Sequence, residues 1–119
     1  MITDEPVRGS IPPPWFCALS GIERMQAISQ GLILSFPLAR LQGMRAAHVE
    51  PGSGTWTVPA SPWTRGLVGV GDICAFAETA LTGVTITAAA PGHDVIPRTL
   101  VINYFRPYWV QGGNLIARG

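Results

Sequence analysis

The chain has 119 residues, of which 47% are apolar and 13% charged, and its formal net charge is +1. This length predicts one small domain whose core needs most of the chain. The few charges give neither the basic surface of a nucleic-acid-binding protein nor an acidic tail, and no apolar run approaches the roughly 20 residues that cross a bilayer. The first residues are acidic and proline-rich, so we expect no signal peptide and a cytoplasmic location.

The N-terminal part is predicted to be a tail followed by a helix. Residues 1–14 offer little apolar surface and contain three consecutive prolines, which favour polyproline II, so we expect a flexible Pro-rich tail. From Trp15 to about Leu32 the apolar residues recur near helical spacing, and Gly31 is typical of a helix end. This pattern predicts an amphipathic helix. Its polar face is not basic, so we expect it to pack on its own domain rather than on a membrane.

A β-hairpin is predicted next. Pro37 and Gly43 break the chain before a strand near Met44 to Val49. The sequence Glu50-Pro51-Gly52-Ser53-Gly54 is a strong turn signal, and Thr55 to Val58 alternates as a half-buried strand does.

A buried helix from about Asp72 to Ala88 is the centre of the prediction. This helix carries one carboxylate, Glu78. An unpaired buried carboxylate costs several kcal/mol or becomes neutral, so a partner or a function is needed to account for Glu78. The free N–H groups at the helix N-terminus favour negative charge. Helical spacing places these donors and the carboxylate on one face, made by Gly71, Cys74, Glu78 and Thr82. The opposite face holds Ile73, Phe76, Ala77, Ala80 and Val84.

Two strands are predicted after this helix and the Pro91-Gly92 turn. The longer strand runs from Asp94 to Tyr108, with apolar side chains on both faces. The last strand begins at Asn114.

The segment from Gly69 to Ala80 resembles the hotdog-fold acyl-CoA thioesterases of the phenylacetate-degradation (PaaI) type. In that family a His-Gly-Gly turn precedes, by nine residues counted from the His, an Asp or Glu on the central helix. Glu78-Thr79-Ala80 matches the acidic end. Gly69, Val70 and Gly71 stand at the His and the two Gly positions, so the turn is half matched. Trp63 stands where the family often has an assisting Asn or Gln.

The resemblance covers most of Leu34 to Arg118. Asn103-Tyr104-Phe105-Arg106-Pro107 resembles the end of the family's strand after the helix, and three short segments resemble its first strand and the approach to it: Pro37–Arg40, Gly43–Arg45 and Val49–Gly52. The resemblance implies an α+β hotdog fold over residues 15–119, in which an antiparallel sheet wraps around a long central helix and an N-terminal helix is added. The family continues with further antiparallel strands, so we expect the C-terminal strands of this domain to be missing or incomplete.

The function implied by the resemblance is hydrolysis of an acyl-CoA thioester. The backbone N–H of Val70, with Gly71 as its neighbour, would polarise the thioester carbonyl, and Glu78 would attack it or activate a water molecule. Substrate contacts are expected from Gly69, Cys74, Thr79, Thr82 and Arg106, the last beside the phosphates of coenzyme A. Coenzyme A enters as part of the substrate, with no separate cofactor, and the chain would form a homodimer or homotetramer.

The same residues allow other interpretations of the function. A non-catalytic hotdog domain that binds acyl-CoA or serves as an assembly module fits the missing His and the Trp at the amide position. Glu78 would then face solvent or pair with Arg65 or Arg106. A dinucleotide loop at Gly69-x-Gly71 would want Gly or Ala at the position of Cys74, and the Asp-x-Asn-x-x-His pattern of hotdog hydratases is absent.

The cysteine and histidine residues are not spaced as metal ligands are, so we expect no metal site. Cys17 and Cys74 are far apart and are expected to be reduced, semi-buried thiols in two helices. His48 lies on a predicted strand and His93 in a Pro-Gly-His-Asp turn, which indicates surface roles.

Overall fold

The computed structural model describes residues 11–59, 71–105 and 113–119, and within them the fold is α+β. The helices are α1 (Pro14–Ala18), α2 (Gly21–Ser29), α3 (Pro37–Gln42) and α4 (Gly71–Thr87), and the strands are β1 (Arg45–Glu50), β2 (Ser53–Val58) and β3 (Leu115–Arg118). In this part of the chain, no helix combines the length and the apolar character needed to cross a membrane.

The three strands form one antiparallel sheet in the order β1-β2-β3. The predicted hairpin is confirmed, with Arg45 opposite Thr57 and an irregularity in β1 between Ala46 and His48. The last strand is also confirmed, because β3 starts at Leu115 and places Arg118 opposite Thr55.

The core lies between one face of this sheet and α4. Trp56 and Val58 of β2 are only 3% and 1% exposed. The Trp56 ring lies so close to Gly83 of α4 that a Cβ at this glycine would stand 2.6 Å from a ring carbon. A Cβ on Gly54, in the same strand as Trp56, would stand 2.4 Å from the ring. The indole therefore fills space that exists only because both neighbours lack a side chain.

A second close contact joins the start of α2 to the end of α4. Gly21 N–H donates to the Ala89 carbonyl at 2.9 Å, and a Cβ on Gly21 would stand 1.6 Å from the Ile86 carbonyl oxygen. Ser20 caps α2 in a capping box: its hydroxyl accepts from Glu23 N–H, while the Glu23 carboxylate accepts from Ser20 N–H. These contacts fix where α2 begins.

Thr87 ties the turn of the hairpin to α4. It is 3% exposed, and its hydroxyl accepts from Gly52 N–H at 2.8 Å and donates to the Val84 carbonyl at 2.5 Å. The turn amide is thus satisfied by a buried side chain rather than by the strand ladder.

The N-terminal region differs from the prediction of one helix from Trp15 to Leu32. The chain forms α1 and α2 instead, because Leu19 takes an extended conformation and Ser20 caps a new helix. Helix α3 was not predicted, although Pro37 and Gly43 mark its ends. Proline at the first helical position is preorganised for a helix, and Gly43 ends α3 at φ 67°, a left-handed conformation suited to glycine.

The strand predicted from Asp94 to Tyr108 is wrong for residues 94–105, which form neither helix nor strand. Val95 packs against the core, but Ile96, Val101 and Phe105 are 83%, 77% and 92% exposed, so most of the apolar pattern is not matched by burial. Strand propensity depends on packing against neighbours, and no neighbouring strand is present among the described residues. Residues 106–108 lie outside the described part of the chain.

Candidate functional site

Helix α4 presents two different faces. Its buried positions recur every three or four residues and form one stripe that faces the sheet and α2: Phe76, Ala80, Gly83 and the adjacent pair Ile86 and Thr87. The predicted burial of Phe76 and Ala80 is confirmed, and Val84 packs against the core. We call the positions Cys74, Glu78 and Thr82, which lie on the opposite side and are half-buried, the polar ridge.

Glu78 lies in the middle of the polar ridge. It is half-buried rather than buried as predicted, because the sheet covers only the other face of α4. The Thr82 hydroxyl donates to Glu78 Oε1 at 3.1 Å. This hydrogen bond joins adjacent turns of the same helix and holds one carboxylate oxygen in place. The hydrogen bond from Thr82 and partial exposure to water together make the charged carboxylate tolerable at this position.

Cys74, one turn before Glu78, contacts a residue that the site prediction missed. Its Sγ lies 2.6 Å from the Tyr104 hydroxyl, and either atom can donate the hydrogen bond. The contact with Cys74, followed by burial, raises the pKa of Tyr104 above its ordinary value of 10.0. The phenol is therefore protonated at neutral pH, and its hydroxyl lies beside Cys74, one helical turn before Glu78 in the sequence of α4.

Thr79 lies away from the polar ridge. Its hydroxyl donates to the Ala75 carbonyl at 2.8 Å, and it lines a small cavity together with Trp56 and Gly83. The cavity volume is about 20 Å³, with Met25, Phe36 and Met44 also in its lining. A space of this size holds about one water molecule, so it does not accommodate an acyl chain. Thr79 and Glu78 thus face different parts of the molecule.

Several predicted site residues lie outside the described residues. These are Gly69, Val70 and Arg106, together with Trp63 and Arg65. Gly71 is the first residue of α4, one residue before the predicted start of the helix at about Asp72. Thr82 and Cys74 are brought to Glu78 by the helix itself.

The remaining candidate ligands are dispersed. His48 is exposed on β1 and pairs with Glu50 at 3.1 Å, and His93 follows the turn after α4, so both surface positions are confirmed. Cys17 is exposed rather than semi-buried. Across residues 11–59, 71–105 and 113–119, no three His, Cys, Asp or Glu side chains group as metal ligands do.

No protein-family model, curated protein sequence or solved structure matches the chain. The thioesterase resemblance therefore stays a prediction from the residues that carry it.

Proposed function

We propose that the chain hydrolyses acyl-CoA thioesters and that Glu78 is the carboxylate that activates the attacking water or attacks the carbonyl itself. The observation that carries this proposal is the polar ridge, where a half-buried Glu78 carboxylate is held by the Thr82 hydroxyl on the face of α4 that the sheet leaves uncovered. Within the described part of the chain, neither side chain belongs to the core, so both are available to contact a ligand.

The helix supports this chemistry in two ways. The Thr82 hydroxyl, one turn toward the C-terminus, holds one oxygen of the Glu78 carboxylate by a hydrogen bond of 3.1 Å. The N–H groups in the first turn of α4, which starts at Gly71, have no acceptor within the helix and stabilise the negative oxygen that forms in a tetrahedral intermediate. A thioester placed between these groups has a base on one side and donors on the other.

The test is hydrolysis over a panel of acyl-CoAs with free thiol as the readout. Glu78→Gln keeps size and hydrogen bonding but removes the charge, so hydrolysis should fall about a hundredfold or more while the melting temperature is retained. Glu78→Asp should recover only part of the rate, because misplacing a catalytic group by about 1 Å costs up to a hundredfold. Hydrolysis by Glu78→Gln at the parent rate would contradict the proposal and would favour a domain that binds acyl-CoA without catalysis.

A further inference from the structure

Tyr104 contacts the polar ridge from a segment without regular structure. Residues 94–105 form neither helix nor strand, and Tyr104 is 48% exposed. Its hydroxyl nevertheless lies 2.6 Å from Cys74 Sγ, across a sequence separation of 30 residues. The phenol is thus directed at α4 while neighbouring Phe105 is 92% exposed.

The Tyr104 hydroxyl lies at Cys74, and Cys74 precedes Glu78 by one turn of α4. Side chains four residues apart on a helix have Cβ atoms about 5–6 Å apart, so Cys74 and Glu78 are neighbours on one face. A thiol is a weak hydrogen-bond partner, and a better acceptor beside it can take the phenolic hydrogen bond in its place. A carbonyl oxygen bound between Glu78 and Tyr104 is such an acceptor.

We propose that Tyr104 is a further catalytic residue, whose hydroxyl donates a hydrogen bond to the carbonyl oxygen of the thioester. This inference rests on the proposed function. In the reaction, a water oxygen bonds to the carbonyl carbon while Glu78 takes the water proton, and the carbonyl oxygen becomes an oxyanion that accepts from Tyr104. When the oxyanion collapses, the carbon–sulfur bond breaks, and the thiolate of coenzyme A leaves and accepts the proton from Glu78. Tyr104 keeps its own proton throughout.

Tyr104→Phe tests this role, because it removes only the hydroxyl. With an acyl-CoA that the parent hydrolyses, kcat should fall roughly tenfold to a hundredfold, which is the loss of one oxyanion donor at a partly exposed site, while KM changes little. The melting temperature should stay close to that of the parent. Phe105→Leu is the matched control: it changes the adjacent exposed ring and should leave kcat unaltered.

The outcomes separate this proposal from the previous one. If Glu78→Gln loses hydrolysis while Tyr104→Phe keeps the parent kcat, the role of Tyr104 is wrong and the proposed function stands. A loss in Tyr104→Phe that is matched by Phe105→Leu, or by a lower melting temperature, would show a structural role and overturn the proposal. Absence of hydrolysis by the parent overturns both.

Discussion

The two faces of α4 have different properties, although the same 17 residues make both. On the face that meets the sheet and α2, contacts are so close that Gly83 has no room for a methyl group beside Trp56. On the polar ridge, Glu78 and Thr82 bond to each other and are half-buried. Substitutions on the face that meets the sheet and α2 should therefore change the stability of the fold, whereas substitutions on the polar ridge should change the rate of hydrolysis.

The largest loss of stability is expected at the contact between α2 and α4. Gly21→Ala would place a Cβ against the Ile86 backbone, which cannot rotate away as a side chain does. The helices must separate, and the hydrogen bond from Gly21 to Ala89 is lost. We expect a loss of about 3 kcal/mol or more, above the usual cost of overpacking, measured by denaturant unfolding.

Gly92→Ala is the control for this change. No atom lies within 4 Å of a Cβ built at Gly92, so only its left-handed backbone, at φ 73°, resists the substitution. The cost should be about 1–2 kcal/mol. Equal losses in the two variants would contradict the packing that we describe between α2 and α4.

A smaller loss is expected from Thr87→Val, which keeps the shape of the side chain but removes the buried hydroxyl. Gly52 N–H then loses its acceptor, and because Gly52 is exposed the loss is that of one hydrogen bond, about 0.5–1.5 kcal/mol. Thr87→Ser retains the hydroxyl and should lose less. Unfolding in urea measures both variants, and a more stable Thr87→Val would show that the hydroxyl does not tie the hairpin turn to α4.

The smallest effect is expected at the exposed capping box of α2. Hydrogen bonds from the Ser20 hydroxyl, and then from its backbone N–H, lower the pKa of Glu23 below its ordinary value of 4.5. A carboxylate with a lowered folded-state pKa stabilises the fold above its unfolded pKa, and this contribution is lost as the pH falls through the folded pKa.

Glu23→Gln isolates this contribution, because glutamine fills the box without titrating. The parent should therefore lose melting temperature relative to Glu23→Gln when the pH is lowered from about 6 to about 3. If the melting temperatures of the two proteins changed equally over this pH range, the ionised Glu23 carboxylate would not contribute to stability.

The predictable parts of the fold are those with local signals. The glycine-rich turn and the alternation in β2 define the hairpin, and the spacing of Phe76 and Ala80 defines the inner face of α4. The break before α2 depends on the Ser20 cap, which a pattern of apolar residues does not report. Residues 94–105 have the composition of a strand but no neighbouring strand, and composition alone cannot show this.

In the candidate site, too, the positions with a local sequence signal could be predicted and the others could not. The polar ridge follows from helical spacing, so Cys74, Glu78 and Thr82 were predicted to share a face. Tyr104 was missed because its contact with Cys74 joins residues 30 apart through a segment without regular structure. No periodicity links such positions. The resemblance included Tyr104 within a longer motif but gave it no role.

The most direct test of the difference between the two faces is a paired measurement on Glu78→Gln and Thr87→Val. Hydrolysis of an acyl-CoA is measured per folded molecule, at a temperature where both variants are folded, and unfolding free energy is measured on the same samples. We predict opposite results: Glu78→Gln keeps stability and loses about a hundredfold in rate, whereas Thr87→Val loses about 0.5–1.5 kcal/mol and keeps the rate. Full hydrolysis by Glu78→Gln would contradict the assignment of chemistry to the polar ridge.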